Sequence, residues 1–117
     1  MTARKDVLEG TTSHYQTKCG KMYITLNEQD GNLNEVIIKL GKAGCCARAW
    51  TEFTGKLITH HLRNGLSIKR IIKQLDGIQC ADGIKPDVPG CQQVICDALK
   101  EYTDGSKENK KEEVRNL

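Results

Sequence analysis

Hydrophobic and polar residues alternate in the first half of the chain. Met22, Ile24 and Leu26 are separated by single residues of more polar character, which is the pattern of a strand with one face on a core and the other in water. The run LNEVIIKL has a similar β-rich composition. We therefore predict two strands, at about Met22–Asn27 and Leu33–Leu40.

A tight turn is expected between these two strands. The intervening segment QDGN contains an Asp30-Gly31 pair, which is a strong short-range signal for a hairpin. A further β-rich segment lies at about Ser13–Thr17, before Cys19 and Gly20. The sequence thus predicts an antiparallel meander of two or three strands.

From Cys45 onward the pattern has the period of a helix. Hydrophobic residues recur mostly at steps of three and four, and Gly65 suits the left-handed position that follows a helix. The side predicted to face the sheet consists of Cys46, Trp50, Phe53, Leu57, Ile58, His61 and Leu62.

Two further helices are predicted. Ser67 is the expected N-cap of the second helix, which ends at Gly77. The third helix is predicted at about Cys91–Tyr102, and the segment after it, TDGSKENKKEEVRNL, is almost wholly polar. Such a segment buries too little apolar surface to offset the entropy lost on ordering.

These elements give the predicted fold class. It is α+β, with a small antiparallel meander of two or three strands packed by two or three helices, and a disordered polar C-terminal tail. We expect a flexible leader over residues 1–10, one folded domain over 11–102 and a charged flexible tail over 103–117. One sheet face and the back of a long helix are left open, so a homodimer through the sheet or the Trp50 helix is predicted.

Composition and charge limit the classes of function. The 117 residues carry a formal net charge of +3, which is too small for a nucleic-acid coat protein or a polybasic membrane anchor. No stretch approaches the roughly 18 apolar residues of a membrane span, and the N-terminus has no apolar signal core. We therefore expect a cytoplasmic protein that does not bind membranes.

Several motifs resemble a known family. The segments CGKMYITLNEQDGNLNEVIIKLGKAGCC, GKLITHHLRNG and IIKQLDGIQC are similar to the TSCPD domain, which occurs at the C-terminal end of many cobalamin-dependent ribonucleotide reductases and as small free-standing proteins. The resemblance covers roughly Gly10 to Tyr102. It departs at the eponymous motif, where GCQQVI keeps Cys91 and replaces the Pro-Asp pair with Gln92 and Gln93.

The same resemblance indicates a candidate metal site. Four of the six cysteines coincide with cysteine positions of the family and lie at the ends of predicted elements, as a four-thiolate zinc site requires. The sequence has no CxxC knuckle, and the alternative is a set of buried thiols, since unpaired cysteine packs as a small hydrophobe. The candidate zinc ligands are Cys19, Cys46, Cys80 and Cys91.

The GKAG segment is a candidate anion site. It leads from a predicted strand into a helix N-terminus, where backbone N–H groups and the helix dipole favour an anion. Gly41 and Gly44 supply the turn, and Lys42 adds a positive charge. The motif lacks the length of a phosphate-binding P-loop, and the alternative is a tight strand-to-helix connection.

A run of cations extends this candidate site. No acidic residue interrupts it before Asp76, so it could meet phosphate, although a solvated helix face is the alternative. Aromatic residues for stacking successive bases are scarce, which favours a single nucleotide over a long strand. The cations are Lys56, Arg63, Lys69, Arg70 and Lys73.

Two classes of function follow. The first is a non-catalytic binding module, similar to a reductase accessory domain, that recognises a nucleotide or nucleic-acid phosphate; in a phage it would act as a sponge or as an inhibitor of a host system. The second is a zinc-stabilised docking module for a reductase or another enzyme. The sequence shows no constellation of catalytic residues, so an enzyme is not expected.

Overall fold

The structure, a computed structural model, describes residues 3–17, 19–41, 46–78 and 89–115, and their side chains as far as Gly105. The elements are the strands β1 (Glu9–Thr17), β2 (Gly20–Gln29) and β3 (Asn32–Leu40), and the helices α1 (Cys46–Arg63), α2 (Ile68–Leu75) and α3 (Cys91–Arg115). The strands form one antiparallel sheet in the order β1-β2-β3. The predicted α+β fold with an antiparallel meander is confirmed.

The turn between β2 and β3 is the predicted two-residue hairpin. Gln29 pairs with Asn32, and the two residues between them, Asp30 and Gly31, have φ angles of 54° and 81°. Positive φ at both central positions matches the right-handed twist of the flanking strands. The Asp-Gly pair therefore fixes the register of this hairpin.

A bulge in β3 keeps its hydrophobic residues on one face. Asn27 pairs with Glu35 and Glu28 pairs with Leu33, so Asn34 is an extra residue in β3. Without this extra residue, the alternation of side chains along β3 would place Leu33 on the open face of the sheet. With it, Leu33 is buried on the same side as the rest of the core.

The core lies between one face of the sheet and the helices α2 and α3. Met22 and Ile38 are almost fully buried there, as are Ile95 and Leu99 of α3. Burying a side chain of this size contributes about 1.5–3 kcal/mol. On the opposite face of the sheet, Tyr23 and Ile37 are 39% and 40% exposed.

The predicted orientation of α1 is wrong. Trp50, Phe53 and Leu57 were expected against the sheet, and they are 65%, 46% and 43% exposed. The buried residues of α1 are Thr51, Gly55 and Ile58. Of the predicted stripe, Ile58 is buried and Leu62 packs partly against the core.

Close backbone packing explains this orientation. A Cβ atom added at Gly55 would lie 2.9 Å from the carbonyl oxygen of Val36, so only a helix face made of small residues fits against β3. The Thr59 hydroxyl bonds both backbone groups of Val36. Helix α1 thus covers the outer edge of β3, which would otherwise expose unpaired backbone groups.

The end of α1, the ends of α2 and the start of α3 agree with the sequence analysis. The Ser67 hydroxyl accepts a bond from the Arg70 N–H at 3.3 Å, and Gly65 and Gly77 both have a φ of 87°. Helix α3 begins at Cys91, and its helical backbone continues beyond the predicted end at Tyr102 as far as Arg115. That extension is rich in lysine and glutamate, which have high helix propensity.

None of the described helices is both long enough and apolar enough to cross a membrane.

Candidate functional site

The structure brings two of the five predicted cations together. Lys56 and Arg63 both line a groove between α1 and β3. The other three, Lys69, Arg70 and Lys73, lie on the exposed side of α2 and do not line the groove. Since α2 packs against α3, which covers the core face of the sheet, the two groups of cations belong to different surfaces.

The groove lies on the open side of the sheet, beside the edge that α1 covers. Its volume is about 770 Å³, within the range of about 300–1,000 Å³ typical of small-molecule sites. Five consecutive residues of β3 form its floor, and polar residues of α1 form its wall. The lining residues are Glu35, Val36, Ile37, Ile38, Lys39, Glu52, Lys56, Thr59, His60 and Arg63.

Glu35 is the electrostatic centre at one end of the groove. Its carboxylate accepts hydrogen bonds from Arg4 at 2.7 Å, from Asn27 at 2.8 Å and from Arg63 at 2.9 Å. The bond from Arg4, together with that from Asn27 and the positive charges of Arg4 and Arg63, holds the pKa of Glu35 below its ordinary value, although burial opposes the shift. Glu35 is therefore ionised at neutral pH, and its charge is fully compensated.

The cations of the groove are less well compensated than its acids. The other acidic lining residue, Glu52, pairs with Arg48 at 3.5 Å. Lys39 and Lys56 form no ion pair with any residue that the structure describes. The buried Nε of Arg63 likewise has no hydrogen-bond partner in that part of the chain. The groove thus offers the two ammonium groups of Lys39 and Lys56 to an anion.

Only the first residue of the GKAG segment is described. The N–H of Gly41 donates to the carbonyl oxygen of Lys21 at 2.6 Å, so this amide already has a partner. A Cβ atom at Gly41 would lie 3.1 Å from that oxygen. Lys42 and Gly44 lie outside the described residues, and anion binding by the turn stays a prediction.

Two of the predicted zinc ligands, Cys19 and Cys91, lie close to the same residue, Thr17. The Thr17 Oγ1 accepts a bond from the Cys19 N–H at 3.1 Å and lies 3.6 Å from Cys91 Sγ. Cys91 is buried, and Cys46 is exposed at the start of α1. Cys80 lies outside the described residues.

A zinc site is neither supported nor contradicted by this arrangement. No three His, Cys, Asp or Glu side chains within the described ranges are grouped to hold a metal ion. The alternative of buried thiols applies to Cys91 and to Cys96, which was not among the candidates; burial raises the pKa of the Cys96 thiol. Zinc binding therefore stays a prediction.

The sequence analysis missed Glu35 and Lys39. Both join the groove only because α1 docks on the edge of β3, and that placement was not anticipated. A signal for it was present, since Thr51, Gly55 and Thr59 are small residues at intervals of four. Such a row lies on one side of a helix and allows a close approach to another backbone.

The comparisons with known proteins give one match. Neither the curated proteins nor the solved structures include a significant match to this chain. The profile of the TSCPD domain matches residues 1–103, which include all three strands, α1, α2 and the first half of α3. Because the match covers most of the 117 residues, the chain belongs to the TSCPD domain family.

Proposed function

We propose that this chain is a non-catalytic binding module that holds a nucleotide or a similar phosphate-bearing ligand in the groove between α1 and β3. Membership of the TSCPD family associates the domain with ribonucleotide reductases, whose substrates and effectors are nucleotides. In a phage, the same module would act by sequestering its ligand or by inhibiting a host system.

One observation carries this proposal. Lys56 and Arg63, which were selected from the sequence as candidate phosphate ligands, line the same groove, and Lys39 joins them there. Phosphate oxygens would bond the two ammonium groups and the Arg63 guanidinium. A base would lie on the open face of the sheet, where Ile37 and Tyr23 present apolar surface and Tyr23 is the cross-strand partner of Lys39.

Calorimetric titration with ATP, dATP and inorganic phosphate tests the proposal. We expect at least one nucleotide to bind and to raise the melting temperature. Lys39→Glu and Lys56→Glu should each weaken binding at least tenfold. Lys73→Glu is the matched control, because it makes the same change of charge on the exposed side of α2 and should leave the affinity within about twofold.

Two results would overturn the proposal. One is that none of the three compounds binds. The other is that Lys73→Glu weakens binding as much as Lys39→Glu, which would assign the effect to the overall charge of the protein and not to the groove.

A second function, docking on a reductase or another enzyme, is favoured by the exposed hydrophobic side of α1. Trp50 is 65% exposed there, and exposed hydrophobic clusters commonly mark protein interfaces. In this function a zinc ion held by Cys19, Cys46, Cys80 and Cys91 would stabilise the module. Native mass spectrometry would then show the mass of one zinc ion, lost on adding a chelator; the bare polypeptide mass would remove zinc from the proposal.

A further inference from the structure

The open face of the sheet extends the groove as far as Tyr23. Tyr23 is 39% exposed, and its cross-strand partners are His14 of β1 and Lys39 of β3. The His14 and Tyr23 rings are neighbours, with centroids 6.2 Å apart. Because Lys39 also lines the groove, the surface around Tyr23 and the groove are continuous.

A second lysine lies beside the Tyr23 ring. Lys21 is two residues before Tyr23 on β2 and therefore shares its face of the sheet, and the Lys21 Nζ is 5.8 Å from the ring centroid. The GKAG segment begins at the same place. A Cβ atom at Gly41 would lie 3.7 Å from Lys21 Cβ and 3.8 Å from Tyr23 Cε2.

Lysines and apolar side chains alternate along this surface. Ile37, two residues before Lys39 on β3, shares its face of the sheet and is 40% exposed. Gly55 of α1 packs on the β3 backbone at the residues before and after Ile37, so Lys56, the next residue of α1, reaches the groove beside Ile37. The order across the surface is Lys21, Tyr23, Lys39, Ile37 and Lys56.

The charge of this surface favours phosphate. Glu35 and Glu52, the acidic residues of the groove, each have an arginine partner. In contrast, Lys21, Lys39 and Lys56 form no ion pair with any residue in the described part of the chain. Three ammonium groups on three different elements therefore remain for an anionic ligand.

The position of Lys21 does not block the Tyr23 ring. An exposed contact between an ammonium group and an aromatic ring is weaker than the stacking of a nucleobase on such a ring. A base can therefore displace the Lys21 ammonium from the ring. The long, flexible side chain of lysine then lets this ammonium bond a phosphate beside the base.

The alternation of lysines and apolar side chains is the arrangement that a short single strand of nucleic acid requires. Bases stack on aromatic or apolar side chains, and cations bond the phosphates between them. Tyr23 and Ile37 provide two places for a base, and Lys39 lies between them. Lys21 and Lys56 lie at the two outer ends, where the flanking phosphates would be.

We propose that this surface binds two adjacent nucleotides of a single strand, with one base on Tyr23, the other on Ile37 and the phosphodiester between them on Lys39. This proposal rests on the nucleotide binding proposed above, and it specifies the ligand as two bases joined by a phosphodiester. A free linear dinucleotide and a segment of a longer single strand both have this chemistry.

Calorimetric titration with three probes tests the proposal. They are pdApdA, which is the 5′-phosphorylated dinucleotide of deoxyadenosine, dADP, and a single strand of ten deoxyadenylates. We expect pdApdA to bind at least tenfold more tightly than dADP, which has the same number of phosphates but one base fewer. The ten-nucleotide strand distinguishes the sources: affinity at least equal to that of pdApdA identifies a strand segment, and weaker binding identifies a free dinucleotide.

Variants then locate the second base. Tyr23→Ser should weaken binding of pdApdA at least tenfold, and Tyr23→Phe, which keeps the ring, should bind within about twofold of the parent. Phe53→Ser is the matched control, because it removes a ring that is 46% exposed but does not line the groove. It should leave the affinity for pdApdA unchanged. Circular dichroism and melting curves confirm that each variant is folded.

Two results would overturn the proposal. One is equal affinity for pdApdA and dADP, and the other is an equal effect of Tyr23→Ser and Phe53→Ser on the binding of pdApdA. If ATP or dATP still binds in either case and Lys56→Glu weakens that binding, the groove proposal stands and only the second base is excluded. If neither the mononucleotides nor pdApdA bind, both proposals fail.

Discussion

The hydroxyl group of Thr59 bonds both backbone groups of Val36. It accepts a hydrogen bond from the Val36 N–H at 2.9 Å and donates one to the Val36 carbonyl oxygen at 3.1 Å. One helical side chain thereby does what a neighbouring strand would do at the outer edge of β3. The contact fixes the position of α1 and so determines which of its residues reach the groove and which face outward.

We predict that Gly55→Ala destabilises the protein. The new Cβ atom would lie 2.9 Å from Val36 O and 3.2 Å from Ile38 N, so α1 would have to move away from β3. Overpacking of this kind costs about 1–3 kcal/mol, measurable by urea denaturation. Gly105→Ala is the control: it also lies in a helix but has open space around it, and it should be neutral or stabilising by up to about 1 kcal/mol. Equal stability of the two variants would contradict the close packing of α1.

Thr59→Val tests the hydrogen bonds at constant shape. Valine keeps the volume of threonine but leaves the N–H and carbonyl of Val36 without the Thr59 partner, which costs about 1–3 kcal/mol in unfolding free energy. Thr103→Val is the control, because that hydroxyl bonds the Leu99 carbonyl within its own helix. We expect a distinctly smaller loss for Thr103→Val. A loss as large as that of Thr59→Val would mean that the edge of β3 does not depend on Thr59.

The sheet could be predicted well from the sequence, for physical reasons. Strand alternation and the Asp30-Gly31 turn are local signals, and neither depends on how distant parts of the chain pack. The orientation of α1 could not be predicted in the same way, because two sides of that helix compete. The hydrophobic side with Trp50 has the stronger pattern, but the small residue Gly55 allows the closer approach to β3.

The residues of the candidate site that could be predicted from the sequence all lie on one helix, α1. Lys56 and Arg63 were identified as neighbouring cations on a helix, and they do line the groove. We grouped them with Lys69 of α2 because we assumed that consecutive helices contribute to one surface. In the structure, the other side of the groove is β3, which contributes Glu35 and Lys39. Pairing between a helix and a distant strand has no short-range signature.

Acid sensitivity should depend on Glu35. Its pKa in the folded protein is below the ordinary value of 4.5, chiefly because of the bond from Arg4. The unfolded chain therefore takes up the proton at higher pH than the folded protein does, and stability falls as the pH falls. The contribution of Glu35 is complete above pH 4.5 and is lost as the pH decreases through the lowered pKa.

Glu35→Gln removes this titrating group. We expect the variant to be less stable than the parent at pH 7. It should also lose less stability between pH 5 and pH 3, roughly the range in which such carboxylates titrate. Urea denaturation at each pH measures both effects. Glu9→Gln, at the exposed start of β1, is the control and should keep the acid sensitivity of the parent. Parallel pH profiles for Glu35→Gln and the parent would show that Arg4 and Arg63 contribute nothing through this carboxylate.

The cysteines should differ widely in their reaction with iodoacetamide. Cys46 is exposed at the start of α1, whereas Cys91 and Cys96 are 2% and 1% exposed, and burial raises the pKa of Cys96 and so decreases its thiolate fraction. Peptide mapping by mass spectrometry should find Cys46 modified in the folded protein, and Cys91 and Cys96 modified only in denaturant. Cys46→Ser serves as the control for assigning the first modified site. The experiment also bears on zinc, because a Cys46 thiolate bound to metal would react only after a chelator is added. Rapid modification of Cys91 in the folded protein would contradict the packing of α3 against Thr17.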